Sequence, residues 1–526
     1  MNRIDRRSFM QGAAALAGGS LFGGVARAAE CDGTRDLHLV NGRFLTMDAQ
    51  DSVVSSVAIR DGRIVALGHA GGLGPCARTI NLKGATVIPG LIDTHIHFLR
   101  CGQNPGHEAR IIETASSIAE LKQMIAARIR ELALPPGELI TCVGGWNING
   151  LAEKRLPTAA ELDAAAPNHA VYLSTTGAGG AVTNTLGRQF FVSRGVTVTD
   201  SNGTFTLSAG QGLAALQAAQ SEDDRQRGTA EVADFAASLG LTMVTDMGLQ
   251  GAAVDFVDGY RYVLNLWRED DLNVRLRSFL NSSFDTGFGV AQAVVANSFK
   301  RAGDDVFRSN GVGERVNNST TNPGYVDLCK FAASKGWMVT QHSLTAAEIS
   351  FHISAYQAAK DVAPIDKLRW TLDHVNPISD AQIDAVKALG IGLRLQGWNY
   401  TSANPAGPPW RKLVAAGIPL SAGTDSTNVG AMNPWLMIYY MTTMKNNAGV
   451  AATPADQQIT RLQALRMYTI GGAFHSFDDD KLGSIEEGKL ADLAVLSDDP
   501  LTASDEKLKR IRSVLTLQAG KIVHEA

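Results

Sequence analysis

Beyond its first thirty positions the chain has no apolar run long enough to cross a bilayer, which takes about 20 residues, so no membrane span is expected in the body of these 526 residues. An excess of basic charge is also missing. The net charge is −4, which argues against a nucleic-acid footprint. Cysteine is sparse: Cys31, Cys76, Cys101, Cys142 and Cys329 form no C-x-x-C pair, and their odd number leaves one unpaired. Their spacing specifies no disulfide, so they read mostly as small buried apolar groups. Histidine is scarce as well, eleven in all, which makes its placement informative.

What is present begins with a leader. Asp5-Arg6-Arg7-Ser8-Phe9-Met10 precedes an Ala/Gly-rich, weakly apolar stretch to Val25, and Ala26-Arg27-Ala28 fits a small-x-small cleavage site. Residues 1–28 resemble a twin-arginine signal peptide, which implies the matching export machinery as a partner and a periplasmic or secreted location. Removing them takes away four arginines and one aspartate, net +3, so −4 becomes −7 on the remainder. Polyanionic partners are then less expected still.

The length exceeds the roughly 250–300 residues over which one core usually grows, so a large domain with a satellite is expected. Short alternating segments at 37–44 and 56–68, with a two-residue turn at Asp61-Gly62, are matched near the other end by 491–496, 513–517 and 520–523. Together they predict a small discontinuous β-sandwich domain from residues 30–86 and 480–526. Between them, apolar strands alternate with amphipathic helices: Leu241–Met247, Asn273–Leu280, Phe307–Gly313, Gly336–His342, Leu368–His374, Gly390–Gln396 and Ile418–Asp425. With the strand that carries His95 they number eight, and the fold class predicted for 87–479 is α/β, a (β/α)8 TIM-like barrel. The span from about 101 to 240 is too long for one barrel connection and reads as an inserted subdomain after the first barrel strand.

Residues 90–98 read Gly-Leu-Ile-Asp-Thr-His-Ile-His-Phe. Side chains alternate along a strand, so Asp93, His95 and His97 share one face, and two imidazoles on one face can hold a metal ion. A lone H-x-H is more often a pair of hydrogen-bonded core histidines. Here the other strand ends carry His342, His374 and Asp425, and active sites of this barrel lie at those ends. Four of eleven histidines converge on one rim, which favours a metal site. Asp93 is the candidate to orient a ligand histidine through its second ring nitrogen. His107, His352 and Cys101 lack such support and read as structural.

Four stretches carry a resemblance: Val87-Ile88-Pro89-Gly90-Leu91-Ile92-Asp93-Thr94-His95-Ile96-His97, Arg369-Trp370-Thr371-Leu372-Asp373-His374, Ala422-Gly423-Thr424-Asp425-Ser426, and the tail from Gly483 to Leu496. Within the insertion, Gly145-Trp146, Leu156 to Asp163 and Val171-Tyr172-Leu173 add to it. The chain resembles the metal-dependent amidohydrolase superfamily, in the branch related to N-substituted formamide deformylases (amidohydrolase family 3-like). That resemblance implies that His95 and His97 bind the more buried metal and His342 and His374 the more exposed one, with Asp425 as ligand and proton shuttle and His374 beside it in catalysis. The imidazole-rich set favours zinc, as one ion or two per chain. A divalent ion lowers the pKa of bound water towards roughly 7.

The chain departs from the family pattern in two places. Relatives often bring a carboxylated lysine from the fourth strand. Here Phe307 to Gly313 is followed by Glu314, the candidate bridging ligand, and without it the site is expected to be mononuclear. Relatives also carry Gly-Asp-x-Ala after the fifth-strand histidine and a histidine five residues before an asparagine; here stand Ser343-Leu344-Thr345-Ala346 and Gly179, the latter five before Asn184. A substrate different from that of the best-known members follows. Trp146 and Trp398 are candidates for an aromatic substrate pocket, as are Tyr400, Trp410 and Trp435, with ordinary core packing the alternative.

The expected function is hydrolysis of a non-peptide C–N bond in a small molecule: an amide, an N-formyl or N-acyl group, or a cyclic amide. The alternatives are hydrolytic deamination of a heterocycle or amidine and, third, a catalytically silent binding barrel. Substrate identity and oligomeric state stay open, although barrels of this kind often associate as homo-oligomers.

Overall fold

The computed structural model describes residues 36–176, 180–248, 256–281 and 288–526. The expected leader, residues 1–28, lies outside them, as do Cys31 and Gly179. Among the described residues no helix is long and apolar enough to cross a membrane.

Eight parallel strands follow one another around a barrel: β1 (Leu91–Ile96), β2 (Leu241–Asp246), β3 (Arg275–Leu280), β4 (Phe307–Val312), β5 (Met338–Ser343), β6 (Thr371–His374), β7 (Gly392–Gln396) and β8 (Leu420–Gly423). The seven strands given spans from the sequence begin and end within three residues of these bounds. Between β8 and β1 the ring closes by hydrogen bonds: Asp425 N donates to His95 O (2.8 Å), His97 N to Ser426 O (2.9 Å), and Thr94 Oγ1 to Ala422 O (3.0 Å). β1 and β2 are buried along their whole length, as strands covered on both faces must be.

The outer helices start where their sequences say they should. Helix Asp380–Leu389 opens on a capping box between Ser379 and Gln382 and stops at Gly390, whose φ of 73° suits glycine. Helix Ala346–Lys360 opens on the equivalent box between Thr345 and Glu348. Their apolar faces join the strands in one cluster that includes Val244, Leu276, Val339, Leu372, Leu393, Tyr356 and Trp370.

The apolar run before the histidines is two strands rather than one. Thr86–Pro89 pairs with Arg43–Leu45 and with Leu493–Leu496, in a six-stranded sheet built from both ends of the chain. Gly90 then crosses to β1. A Cβ there would sit 2.1 Å from Thr242 Oγ1, so the crossing needs glycine. A second sheet, of Leu37–Val40, Val57–Arg60, Arg63–Leu67 and Arg78–Asn81, shares an apolar cluster with the first through Leu39, Ile59, Ile64, Val87, Leu493 and Leu517. The turn at Asp61-Gly62 joins paired strands with φ of 48° and 76°, the two positive values of a tight hairpin.

The insertion forms its own six-stranded sheet, ordered Thr199–Ser201, Thr204–Leu207, Ala181–Thr183, Ala170–Ser174, Leu139–Val143, His107–Glu108. It leans on the loop after β8. Arg110, fully buried, donates to Glu108 Oε2 (2.8 Å), Glu113 Oε1 (2.5 Å), Val143 O (2.9 Å) and Thr427 Oγ1. Glu113 in turn accepts from the backbone N of Met432 (3.0 Å) and Asn433 (3.3 Å). Spacing indicated no disulfide, yet Cys76 is disulfide-bonded. Cys101, Cys142 and Cys329 are buried free thiols, as the apolar reading required.

Candidate metal centre

Five strand ends deliver the side chains. His95 lies in β1, and His97 just past it is the residue before helix Phe98–Gly102. Glu314 follows β4, His342 lies in β5, His374 ends β6 and Asp425 follows β8. His374 and Asp425 hold left-handed backbone, with φ of 70° and 54°. Non-glycine residues adopt it at a cost of about 1–3 kcal/mol, and such strain is often found at active sites.

All six come together. Glu314 Oε2 lies 3.1 Å from His95 Nε2, 3.3 Å from His342 Nδ1 and 3.5 Å from His374 Nε2, while Oε1 lies 3.3 Å from His97 Nε2. Asp425 Oδ1 is 3.5 Å from His95 Nε2 and 3.3 Å from His97 Nε2. Glu314 therefore stands between the first-strand histidines and the pair from β5 and β6. Every member is buried except His342, which keeps partial exposure.

The donor set fits a cation. His95–His97–Glu314, His95–His374–Asp425 and Glu314–His342–His374 each place three ligand atoms within 4.8 Å of one another. Ligand atoms bonded to zinc at about 2.0–2.1 Å in a tetrahedron stand about 3.4 Å apart, and the separations among His95, His97, Glu314 and Asp425 match. Buried His95 Nε2 and His374 Nδ1 have no hydrogen-bond partner, as nitrogens with lone pairs reserved for an ion would. The His342–His374 pair is closer, 2.8 Å between Nδ1 and Nε2, a hydrogen bond between rings.

Electrostatics agree. Burial opposes charge on Glu314, but the imidazoles around it, His95 foremost and then His342 and His374, outweigh it and hold the carboxyl well below its usual range. Asp425 is likewise lowered: burial is again overcome, here by the imidazoles of His95 and His97. Two permanent carboxylates in a dry cage attract positive charge.

The ring nitrogens that face away from the cage are held in turn. His95 Nδ1 lies 3.1 Å from Asp373 Oδ2, and His97 Nδ1 is 3.2 Å from Gly248 O. Asp93 does not take the role expected of it. Its carboxylate accepts from His95 backbone N (3.1 Å), Thr424 N (3.2 Å) and Thr424 Oγ1 (2.6 Å), so it ties β1 to the loop that bears Asp425 rather than orienting an imidazole. Asp373, immediately before a ligand histidine, is the carboxylate on the ring. Asp246, at the end of β2, was also not foreseen: it accepts from Leu99 N (3.1 Å), Gly248 N (2.9 Å) and Tyr260 OH (2.6 Å), which fixes the carbonyl that meets His97.

The aromatic-pocket expectation gives way to packing where side chains are described. Trp146 is buried in the apolar cluster of the insertion, and Tyr400, Trp410 and Trp435 lie in the main core. The side chain of Trp398 lies outside the described set. A cavity of about 360 Å³ lies between insertion and barrel, lined by Gly144, Tyr172, Ser174, Thr175 and Asn428 among others. His352 is internal, bonded to Ser343 Oγ (2.8 Å) and Asn317 Nδ2 (2.9 Å).

Histidines and carboxylates gathered at the carboxyl ends of barrel strands define the class of metal-dependent hydrolases. The chain belongs to the amidohydrolase family, whose sequence pattern matches residues 78–524. It is accordingly a metal-dependent hydrolase that acts on carbon–nitrogen bonds other than peptide bonds. A relative, the N-substituted formamide deformylase of Arthrobacter pascens, is 24% identical over 545 aligned residues, spanning 93% of this chain and 98% of that protein. Among solved structures, an uncharacterized metal-dependent hydrolase from Pyrococcus horikoshii OT3 superposes with a TM-score of 0.60 at 19% identity, covering 89% of this chain and 99% of the other. Atrazine chlorohydrolase TrzN from Arthrobacter aurescens TC1, crystallised with zinc, gives 0.57 at 16% identity over 93% of this chain and 95% of the other.

Proposed function

We propose that the protein is an exported hydrolase of a small-molecule amide, N-formyl, N-acyl or cyclic amide bond, with Asp425 as its proton shuttle. The observation that carries this reading is Glu314, within 3.5 Å of three of the four histidine rings through one oxygen and 3.3 Å from the fourth through the other. His95, His97, Glu314 and Asp425 would hold one divalent ion, and Glu314, His342 and His374 a second. Zinc suits this donor set; when bound, it polarises the substrate carbonyl and makes hydroxide available at neutral pH.

The side chains do the rest. Asp425 presents Oδ1 to His95 and His97 and leaves Oδ2 free, 4.0 Å from His374 Nδ1. Oδ2 accepts the proton of the attacking water and returns it to the departing nitrogen. The N-substituted formamide deformylase supports N-formyl compounds as a first substrate class. Export rests on Arg6-Arg7 and the Ala26-Arg27-Ala28 site, and we read the two terminal sheets as one sandwich domain.

The test is a panel of formamides, N-acyl amines and cyclic amides assayed with zinc-loaded protein. Release of a carboxylic acid with an amine supports the reading. Ammonia release without acid would replace it with deamination, and no turnover alongside less than one metal per chain would replace it with a binding barrel.

A further inference from the structure

Arg100 stands three residues beyond His97, in the short helix Phe98–Gly102 that leaves the metal centre. Its Nε is buried with no hydrogen-bond partner. Among the described residues the guanidinium makes neither a hydrogen bond nor an ion pair, whereas Arg110, Arg275 and Arg277 each hold a carboxylate and Arg394, which holds none, donates to His475 O at 3.2 Å. The residue keeps partial exposure.

The carboxylates whose fields reach it are Asp425, Glu314 and Asp246. None is available to balance it. Asp425 and Glu314 carry two negative charges, and a single divalent cation in the cage cancels both; a second makes the cage positive. Asp246 already accepts from Leu99 N, Gly248 N and Tyr260 OH. A loaded site therefore leaves a largely buried guanidinium without a counter-charge among the described residues, which is costly unless an anion arrives. A planar fork of donors is suited to a carboxylate.

We propose that Arg100 binds a carboxylate carried by the substrate next to the scissile C–N bond, so that the preferred substrates are anionic N-formyl or N-acyl compounds rather than neutral amides. This inference rests on the hydrolase reading above.

The experiment compares N-formylphenylalanine with N-formylphenethylamine, and the matching N-acetyl pair, on zinc-loaded wild type, Arg100→Met and Arg100→Lys. Phenylacetate, which cannot be hydrolysed, is titrated calorimetrically into each. A charged hydrogen-bond pair lost from the site lowers the ratio of kcat/KM between carboxylate and decarboxylated partner about 30-fold in Arg100→Met. Arg100→Lys should keep part of that ratio, with metal content and melting temperature of both variants close to wild type. If wild type hydrolyses the neutral partners equally well, or if Arg100→Met slows both partners alike, the inference is overturned and the hydrolase reading stands. If nothing is hydrolysed but phenylacetate binds and Arg100→Met abolishes its binding, the hydrolase reading fails and the substrate assignment with it, while Arg100 stands as a carboxylate-binding residue. Absence of both turnover and Arg100-dependent binding overturns the two together.

Discussion

Asp373 Oδ2 lies 3.1 Å from His95 Nδ1, a contact between residues 278 positions apart that joins β6 to β1 across the floor of the metal centre. Neither side chain is exposed to solvent. The contact fixes which nitrogen of His95 carries the proton, and so leaves Nε2 as a lone pair facing Glu314 and Asp425. Asp373→Asn should weaken zinc affinity about 10- to 100-fold, the usual effect of losing such a partner. Competition with a chelator of known affinity measures it, and an unchanged dissociation constant would refute the role.

Glu314 decides nuclearity. Its two oxygens face opposite halves of the cage, so Glu314→Ala removes a ligand from both. Metal content measured by plasma emission should fall from two ions per chain to one or none. Two ions retained in the variant would show that the histidines and Asp425 suffice.

Asp425 is argued to move a proton as well as to bind. Asp425→Asn keeps Oδ1 as a weak donor to metal but cannot accept a proton at pH 7. A fall in kcat of about 10²- to 10⁴-fold is expected for the loss of a general acid–base group. Wild-type kcat in a metal-loaded variant would sink the assignment.

The barrel was legible because strands buried on both faces read as apolar runs, and five strands end in or near a ligand: His95 and His97, Glu314, His342, His374 and Asp425. The second layer was not. Asp93 shares a strand face with His95, but its carboxylate turns back to the backbone N of His95 and to Thr424, whereas the ring of His95 is met by Asp373 from a strand far along the chain. Period-2 reasoning tells which residues share a face and says nothing of what crosses the barrel. Trp146 shows the same limit: the wall of the insertion and the wall of a pocket look alike until the chain is folded. Gly90, quoted in the motif, marks a change of sheet that an unbroken apolar run conceals.

His352 predicts part of the acid limit of stability. Burial lowers its pKa to about 3 from 6.5, against an opposing pull from the charge of Glu348 and with a smaller push from that of His342. The unfolded chain takes up this proton below pH 6.5 while the folded one does not until about pH 3. Stability is therefore lost as pH falls through that window, by up to about 1.4 kcal/mol per unit. His352→Gln can keep bonds to Ser343 and Asn317 without titrating. The difference between variant and wild-type unfolding free energies, taken from pH 7.5 to 4.5, cancels the groups they share and should flatten by that slope. Parallel curves would show that His352 is protonated in the fold.

Arg275 of β3 and Asp492 of the terminal sheet form a two-pronged ion pair, 2.7 Å from Nε to Oδ2 and 2.9 Å from the second guanidinium nitrogen to Oδ1, both side chains almost fully buried. Asp492 Oδ1 also accepts from Ala519 N at 2.7 Å, so the pair clamps the terminal sheet to the barrel. Removing one partner strands a charge in a dry interface, and Asp492→Leu should cost about 3–5 kcal/mol. Removing both need not: in Arg275→Met with Asp492→Leu no charge is left unpaired, and replacing a buried pair by apolar side chains is often neutral. Chemical denaturation of the two variants separates the accounts. Recovery of most of the loss in the double variant means the cost lies in the orphaned Arg275; a double variant as unstable as the single one means that the carboxylate's bond to Ala519 holds the terminal sheet to the barrel.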